Sequence, residues 1–253
     1  MTRTLLIIAG AAFVLALATL GGAAAIGGRD LAANGWEWTF PGHGDGGDET
    51  IRFERVGRDN GPPITRTLAW TGGSTLAVDL SADVTYVQGD QAGIVVTGPK
   101  SLADRVRLDG NRLTMSDTDD ETHVVFGWSN DDRLSIVVTA PSVTTFDLMG
   151  SLDLDIRDYD QDTLDIDLSG SGEVTASGKT RALSVDINGS GEADLGALQT
   201  VDATVDISGS GDATVAPTGR ADLSISGSGD IDLTTRPTTL NQTITGSGDI
   251  SQR

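Results

Sequence analysis

The sequence predicts an all-β fold, a right-handed parallel β-solenoid with about 19 residues per coil. Three observations predict it. Gly-Ser-Gly followed by an acidic residue occurs five times in the last third of the chain. The copies are Gly170-Ser171-Gly172-Glu173, Gly189-Ser190-Gly191-Glu192, Gly209-Ser210-Gly211-Asp212, Gly227-Ser228-Gly229-Asp230 and Gly246-Ser247-Gly248-Asp249. Their first glycines are 19, 20, 18 and 19 residues apart, and a fixed period of this size marks stacked repeats. Apart from Gln242 in the last copy, the flanks alternate apolar and polar residues with period two, the pattern of a half-buried strand.

Taken in chain order, the first element is an apolar run from Leu5 to Ile26, with Arg3 before it and no further charge until Arg29. It predicts an N-terminal apolar helix within residues 1–28. One reading is a signal peptide with Ala23-Ala24-Ala25 as its small-residue cleavage site. The other is a membrane anchor, for which 22 apolar residues suffice. Both place the rest of the chain outside the cytoplasm: on the periplasmic side of the inner membrane if anchored, in the periplasm or at the surface if cleaved.

Residues 29–64 read as a flexible linker, with Gly42-His43-Gly44-Asp45-Gly46-Gly47-Asp48 at its centre. Trp36, Trp38 and Phe40 fit either an interfacial aromatic belt or a short amphipathic strand. From residue 65 onward a single solenoid domain is expected, 65–253. Within 65–145, strand patterns such as Leu76-Ala77-Val78-Asp79-Leu80, Gly93-Ile94-Val95-Val96-Thr97 and Leu134-Ser135-Ile136-Val137-Val138 recur less evenly. They read as irregular first coils that cap the stack.

Residues 146–253 are the regular coils. Two residues before each first glycine stand Leu168, Ile187, Ile207, Ile225 and Ile244, and four before stand Ile166, Val185, Val205, Leu223 and Gln242. After each turn Val174, Ala193, Ala213, Ile231 and Ile250 resume the apolar row. Both flanks thus turn apolar groups to one side, so each Gly-Ser-Gly is a corner around a shared core. Gly170, Gly172, Gly189, Gly191, Gly209, Gly211, Gly227, Gly229, Gly246 and Gly248 are the structural turn residues, because glycine tolerates positive φ and close backbone approach. A degenerate copy, Gly150-Ser151-Leu152-Asp153, makes six coils. At roughly 4.8 Å each they stack to about 30 Å.

These glycine-serine-glycine-acid repeats, with the upstream stretch Leu68-Ala69-Trp70-Thr71-Gly72-Gly73, resemble the head GIN domain family, described as auto-transporter adhesins. The resemblance covers roughly residues 66–253. It departs at Leu152, where the second glycine is replaced, and at Asn188, where serine or threonine is usual. It implies a β-solenoid on an exported bacterial protein and carries over no catalytic residue.

Charge excludes several partners. The chain carries a formal net charge of −20, and residues 147–253 hold 19 acidic against 6 basic residues. Such a surface repels phosphate backbones and anionic lipid, so no nucleic-acid partner is expected. Contact with the membrane is expected only through the N-terminal segment. There is no cysteine, which removes disulfides and thiolate metal sites.

The candidate metal site is the acidic corner. In a parallel stack Glu173, Glu192, Asp212, Asp230 and Asp249 lie one above another, and like charges so placed repel. Calcium suits such a ladder of oxygens. The competing expectation, which weighs more, is that each acid caps turn amides. Asp153, Asp155, Asp158, Asp160 and Asp162 form a second cluster. There Thr163 and Ser169 stand where a calcium loop needs glycine and glutamate, so it reads as a solvated face.

No cofactor is otherwise expected and catalysis is not. Only His43 and His123 are present, neither within the repeats, and no serine sits in a nucleophile elbow. The reading is an exported envelope module for structure, adhesion or interaction, its partner an unknown envelope protein or polysaccharide. The alternatives are a cation-dependent β-helix that binds or cleaves carbohydrate, and a self-assembling filament. The polar drift of the last coil, Asn241, Gln242 and Thr243, predicts a monomer or an end-to-end dimer.

Overall fold

The alternation of apolar and polar residues along the repeats becomes long strands that turn corners without losing their pairing. A computed structural model describes residues 36–40, 49–54, 63–70, 72–116, 122–125 and 133–252. The expected apolar helix and its choice of cleavage or anchoring fall outside these residues. Among the described residues no helix is long and apolar enough to cross a membrane.

In chain order the strands are β1 (Trp36–Phe40), β2 (Glu49–Glu54), β3 (Ile64–Leu68), β4 (Thr75–Asp79), β5 (Asp83–Gln88) and β6 (Gly93–Gly98). One helical turn, α1 (Lys100–Ala103), precedes β7 (Val106–Asp109), β8 (Arg112–Met115), β9 (Thr122–Val125), β10 (Ser135–Ala140) and β11 (Thr145–Gly150). Three long strands follow: β12 (Asp153–Gly170), β13 (Glu173–Gly189) and β14 (Glu192–Gly209). The chain continues as β15 (Asp212–Pro217), β16 (Arg220–Gly227), β17 (Ile231–Leu233), β18 (Thr239–Gly246) and β19 (Ile250–Gln252).

These strands fall into two units. The first contains a three-stranded sheet in the order β1-β2-β9. β1 runs antiparallel to β2, Trp36 opposite Phe53, and β2 runs parallel to β9. Strands therefore occupy residues 36–40 and 49–54 of the stretch read as a linker, and of the two readings of Trp36, Trp38 and Phe40 the short strand is the one formed. The sheet also removes residues 122–125 from the expected first coils.

The second unit is a parallel β-solenoid. Gly150, Gly170, Gly189, Gly209, Gly227 and Gly246 lie in register, six corners separated by five full turns. The inward rows also stack as the alternation requires: Leu168, Ile187, Ile207, Ile225 and Ile244 are successive partners. Ile207 is only 1% exposed. The stack extends upstream through β4, whose Leu76 and Val78 pair with Phe146 and Leu148. β5 continues the stack too, parallel to β12 and to β10, and β8 runs parallel to β4. Antiparallel pairs interrupt these first coils: β3 with β6, β6 with β10, and β7 with β8, the last a hairpin closed at Asp109-Gly110-Asn111.

The core tapers along the stack. Tyr86, Phe146 and Tyr159 fill the first coils, with the Tyr86 and Phe146 rings edge to face at 5.2 Å. The Tyr86 hydroxyl donates to the Ala140 carbonyl at 2.9 Å, and the Tyr159 hydroxyl donates to that of Thr163 at 2.5 Å. Burial raises the pKa of both phenols above the ordinary tyrosine value. Later coils are filled by Ala193, Ala203, Ala213 and Ala221 between the branched rows.

Candidate functional site

Each coil has two bends, and they carry different chemistry. At the Gly-Ser-Gly bend the two glycines answer different demands. The first has positive φ, +132° at Gly170 and +133° at Gly209. The second, at Gly172, Gly191, Gly211 and Gly229, is buried, and a Cβ at Gly211 would lie 2.6 Å from the Gly191 carbonyl oxygen. The bend is tied to the coil before it through backbone. Ser190 N–H donates to Gly170 O at 2.9 Å, and Ser210 N–H to Gly189 O at 2.8 Å.

The acids predicted to align do align. Asp153, Glu173, Glu192 and Asp212 are successive partners, and Asp230 and Asp249 continue the series. Three devices relieve the crowding. At the top, Arg133 donates to Asp83 at 2.7 Å and to Asp153 at 2.8 Å. In the middle Glu173 and Glu192 are exposed to solvent. At the bottom the carboxylates cap amides: Asp230 N–H donates to Asp212 Oδ1 and Asp249 N–H to Asp230 Oδ1, both at 2.8 Å. The capped amide belongs to the following coil, not to the acid's own turn. Among the described residues no three His, Asp or Glu side chains converge as ligands for one ion.

Two neighbouring columns complete an acidic side. Asp155, Thr175, Asp194, Thr214, Asp232 and Ser251 alternate acid with hydroxyl, so Thr175 reaches Asp155 and Ser251 reaches Asp232. Asp147, Asp167, Asp186 and Asp206 instead stack acid on acid. Arg112 pairs with Asp147 at 2.9 Å. Desolvation, with Asp167 and Asp206 on either side, raises the pKa of Asp186 above the usual carboxylate value, although Asn188 donates to it.

The second bend of each coil is built differently. The strand pairing skips between Ile156 and Tyr159, where Asp158 takes a left-handed φ of +51° and Gly178 one of +120°. Asp158 therefore turns the chain, and the cluster Asp153–Asp162 is split between the two bends. Successive coils here leave a groove of about 1030 Å³. Asp160, Lys179 and Gln199 form one column of its lining, with Lys179 paired to Asp160 at 3.2 Å. A threonine series forms another. Thr180 partners Thr200, Thr218 Oγ1 donates to Thr200 O at 3.1 Å, and Thr235 Oγ1 donates to Pro217 O at 2.6 Å. Thr180 and Thr200 are buried, whereas Thr218 and Thr235 reach the surface with their protons donated to backbone.

Basic residues gather at this bend, beside Asp160 and Asp162. Lys179, Arg181, Arg220 and Arg236 fall 9 or 11 residues after the first glycine of their repeats, and Gln199 falls 10 after. That phase belongs to the second bend, opposite the acidic corner. Among the described residues Arg181 and Gln199, both on the groove, have no side-chain partner. The groove was missed at the level of sequence because its residues differ from coil to coil. The phase of the basic residues is the signal that points to it.

With this geometry established, comparison with known proteins is informative. Residues 74–237 match the family described as "Putative auto-transporter adhesin, head GIN domain". The chain belongs to this family. No curated protein matches it. Among solved structures, the head GIN chain is similar to a putative adhesin from Bacteroides fragilis, at 19% identity and a TM-score of 0.60, covering 79% of this chain and 100% of that one. It is also similar to a putative adhesin from Parabacteroides merdae, at 18% identity and a TM-score of 0.49, covering 79% and 99%. A putative lipid binding protein from Parabacteroides distasonis matches at 20% identity and a TM-score of 0.45, covering 79% and 100%. At 19% identity the likeness to the Bacteroides fragilis structure concerns the fold.

Proposed function

We propose that this head GIN protein is an exported, non-catalytic interaction module of the cell envelope, and that its second-bend groove holds an extended, uncharged polysaccharide. The apolar run Leu5–Ile26 and the adhesin description of the family support export. The observation that carries the ligand class is the groove itself. It joins several coils along one side and offers the Arg181 guanidinium and the Gln199 carboxamide, both without a side-chain partner among the described residues, and the hydroxyl oxygens of Thr218 and Thr235. Such groups serve sugar hydroxyls as donors and acceptors. The net charge of −20 disfavours a polyanionic ligand.

The test is affinity electrophoresis of the full chain through gels containing neutral polysaccharides, with Arg181→Ala and Gln199→Ala combined. Retardation by at least one neutral polysaccharide is expected. The double variant should bind about ten-fold more weakly, the loss of two net hydrogen bonds, at an unchanged melting temperature. Retardation that the double variant leaves intact, or none with any neutral polysaccharide, rejects the reading.

A further inference from the structure

The last coil of the stack differs from every coil before it in a way that concerns a second copy of this chain. β18 pairs with β16 along one edge and, among the described residues, with nothing along the other. Its inward row, Leu240, Gln242 and Ile244, sits over Ala221, Leu223 and Ile225, which are buried. Leu240 is nevertheless 36% exposed and Ile244 44%. A free strand edge beside exposed apolar side chains is a template for another strand.

Charge selects the partner. The matching strands of earlier coils carry Asp165 and Asp167, Asp186, Asp202 and Asp206, and Asp222. From Pro237 to Gly248 there is no charged residue. Asp222, the nearest acid, is held by Arg220 at 2.6 Å and by Asn241 at 2.7 Å. A second copy of so acidic a chain is repelled along the acidic columns and meets no carboxylate on this strand. The opposite end of the stack is unlike it, since β3 and β7 carry Arg66 and Arg107.

We propose that two copies join through β18, antiparallel about a two-fold axis centred on Gln242. In that register Leu240 of each copy lies across from Ile244 of the other, and the two Gln242 carboxamides face each other and can exchange hydrogen bonds. The apolar row is then covered and the solenoid core runs on from one copy to the next. An isologous contact of this kind closes at two chains and does not propagate.

The chain has no cysteine, so a single introduced one reports contact between copies alone. Opposed residues of antiparallel strands lie within disulfide reach. Full chains bearing Gln242→Cys or Thr204→Cys, in mild detergent, are oxidised and run on non-reducing gels. Light scattering of the unsubstituted chain in the same detergent gives its mass. The expected result is a two-chain mass, and covalent dimer at least about ten-fold more abundant for Gln242→Cys than for Thr204→Cys. Adding Ile244→Lys should abolish that dimer. A one-chain mass, a mass that keeps growing with concentration, or equal cross-linking of the two variants overturns the proposal.

Discussion

A glycine at the first position of the repeat has a steric reason that a sequence pattern only implies. Gly209 sits at φ +133°, where a side chain is strained, and a Cβ there would strike the Gly189 carbonyl of the preceding coil. Ser210 between the two glycines is exposed and holds the stack by its backbone alone. Gly209→Ala should therefore lower stability by about 1–3 kcal/mol, the usual cost of a residue in a forbidden region, while Ser210→Ala stays within about 0.5 kcal/mol. Chemical denaturation of the two variants beside the parent chain checks this. Equal effects would mean that the glycines are not needed where the stack places them. The alternating rows and these ten glycines were legible in the sequence, because each residue repeats at one phase. The different reasons for the first and second glycine were not, since φ and the approach of the preceding coil are properties of the stacked chain.

At the scale of a column of strands, the question is how a solenoid tolerates identical charges at a spacing of about 4.8 Å. The sequence showed that Glu173, Glu192, Asp212, Asp230 and Asp249 align, and capping of turn amides was the weightier expectation for them. Two of them do cap amides, but those of the next coil. Pairing across coils depends on a spacing of 18 or 19 residues that one turn viewed alone does not reveal. The Asp147, Asp167, Asp186 and Asp206 column is relieved least. The Asp186 pKa is raised in the folded state by desolvation and by Asp167 and Asp206. A carboxyl of this kind binds its proton more tightly folded than unfolded, so its contribution to stability is fully present below the unfolded value and lost as pH rises through the folded one. Asp186→Asn removes that loss. The variant should melt above the parent chain at pH 7, and the gap should close as pH falls below the ordinary carboxylate range. Calorimetric melts at several pH values read this directly. A variant that melts below the parent at pH 7 would show that Asp186 is a net stabiliser of its column.

For the whole molecule, one repeat corresponds to one coil, and its two bends divide the labour. The Gly-Ser-Gly bend supplies geometry and negative charge. The second bend collects Lys179, Arg181, Gln199 and the threonines around the groove. The first was readable because it repeats, and the second was overlooked because it varies, which is also what a ligand-specific surface requires of a repeat protein. The small sheet of β1, β2 and β9 was hidden for another reason. β9 pairs with β2 across a sequence separation of about 70 residues, and no local pattern encodes that partnership. Everything proposed for the groove and for β18 rests on the equivalence of repeat and coil. Deleting Gly189–Ser208 joins Asn188 to Gly209 and removes one full coil, while deleting Ala197–Asp206 removes half of one. Thermal melts of both deletions followed by circular dichroism decide the matter. The full-coil deletion should keep a single cooperative transition and the strand signal per residue of the parent, and the half-coil deletion should lose both, because it removes the second bend and leaves the chain half a coil out of step with its neighbours. Loss of cooperative melting in the full-coil deletion as well would contradict the stacked-coil account.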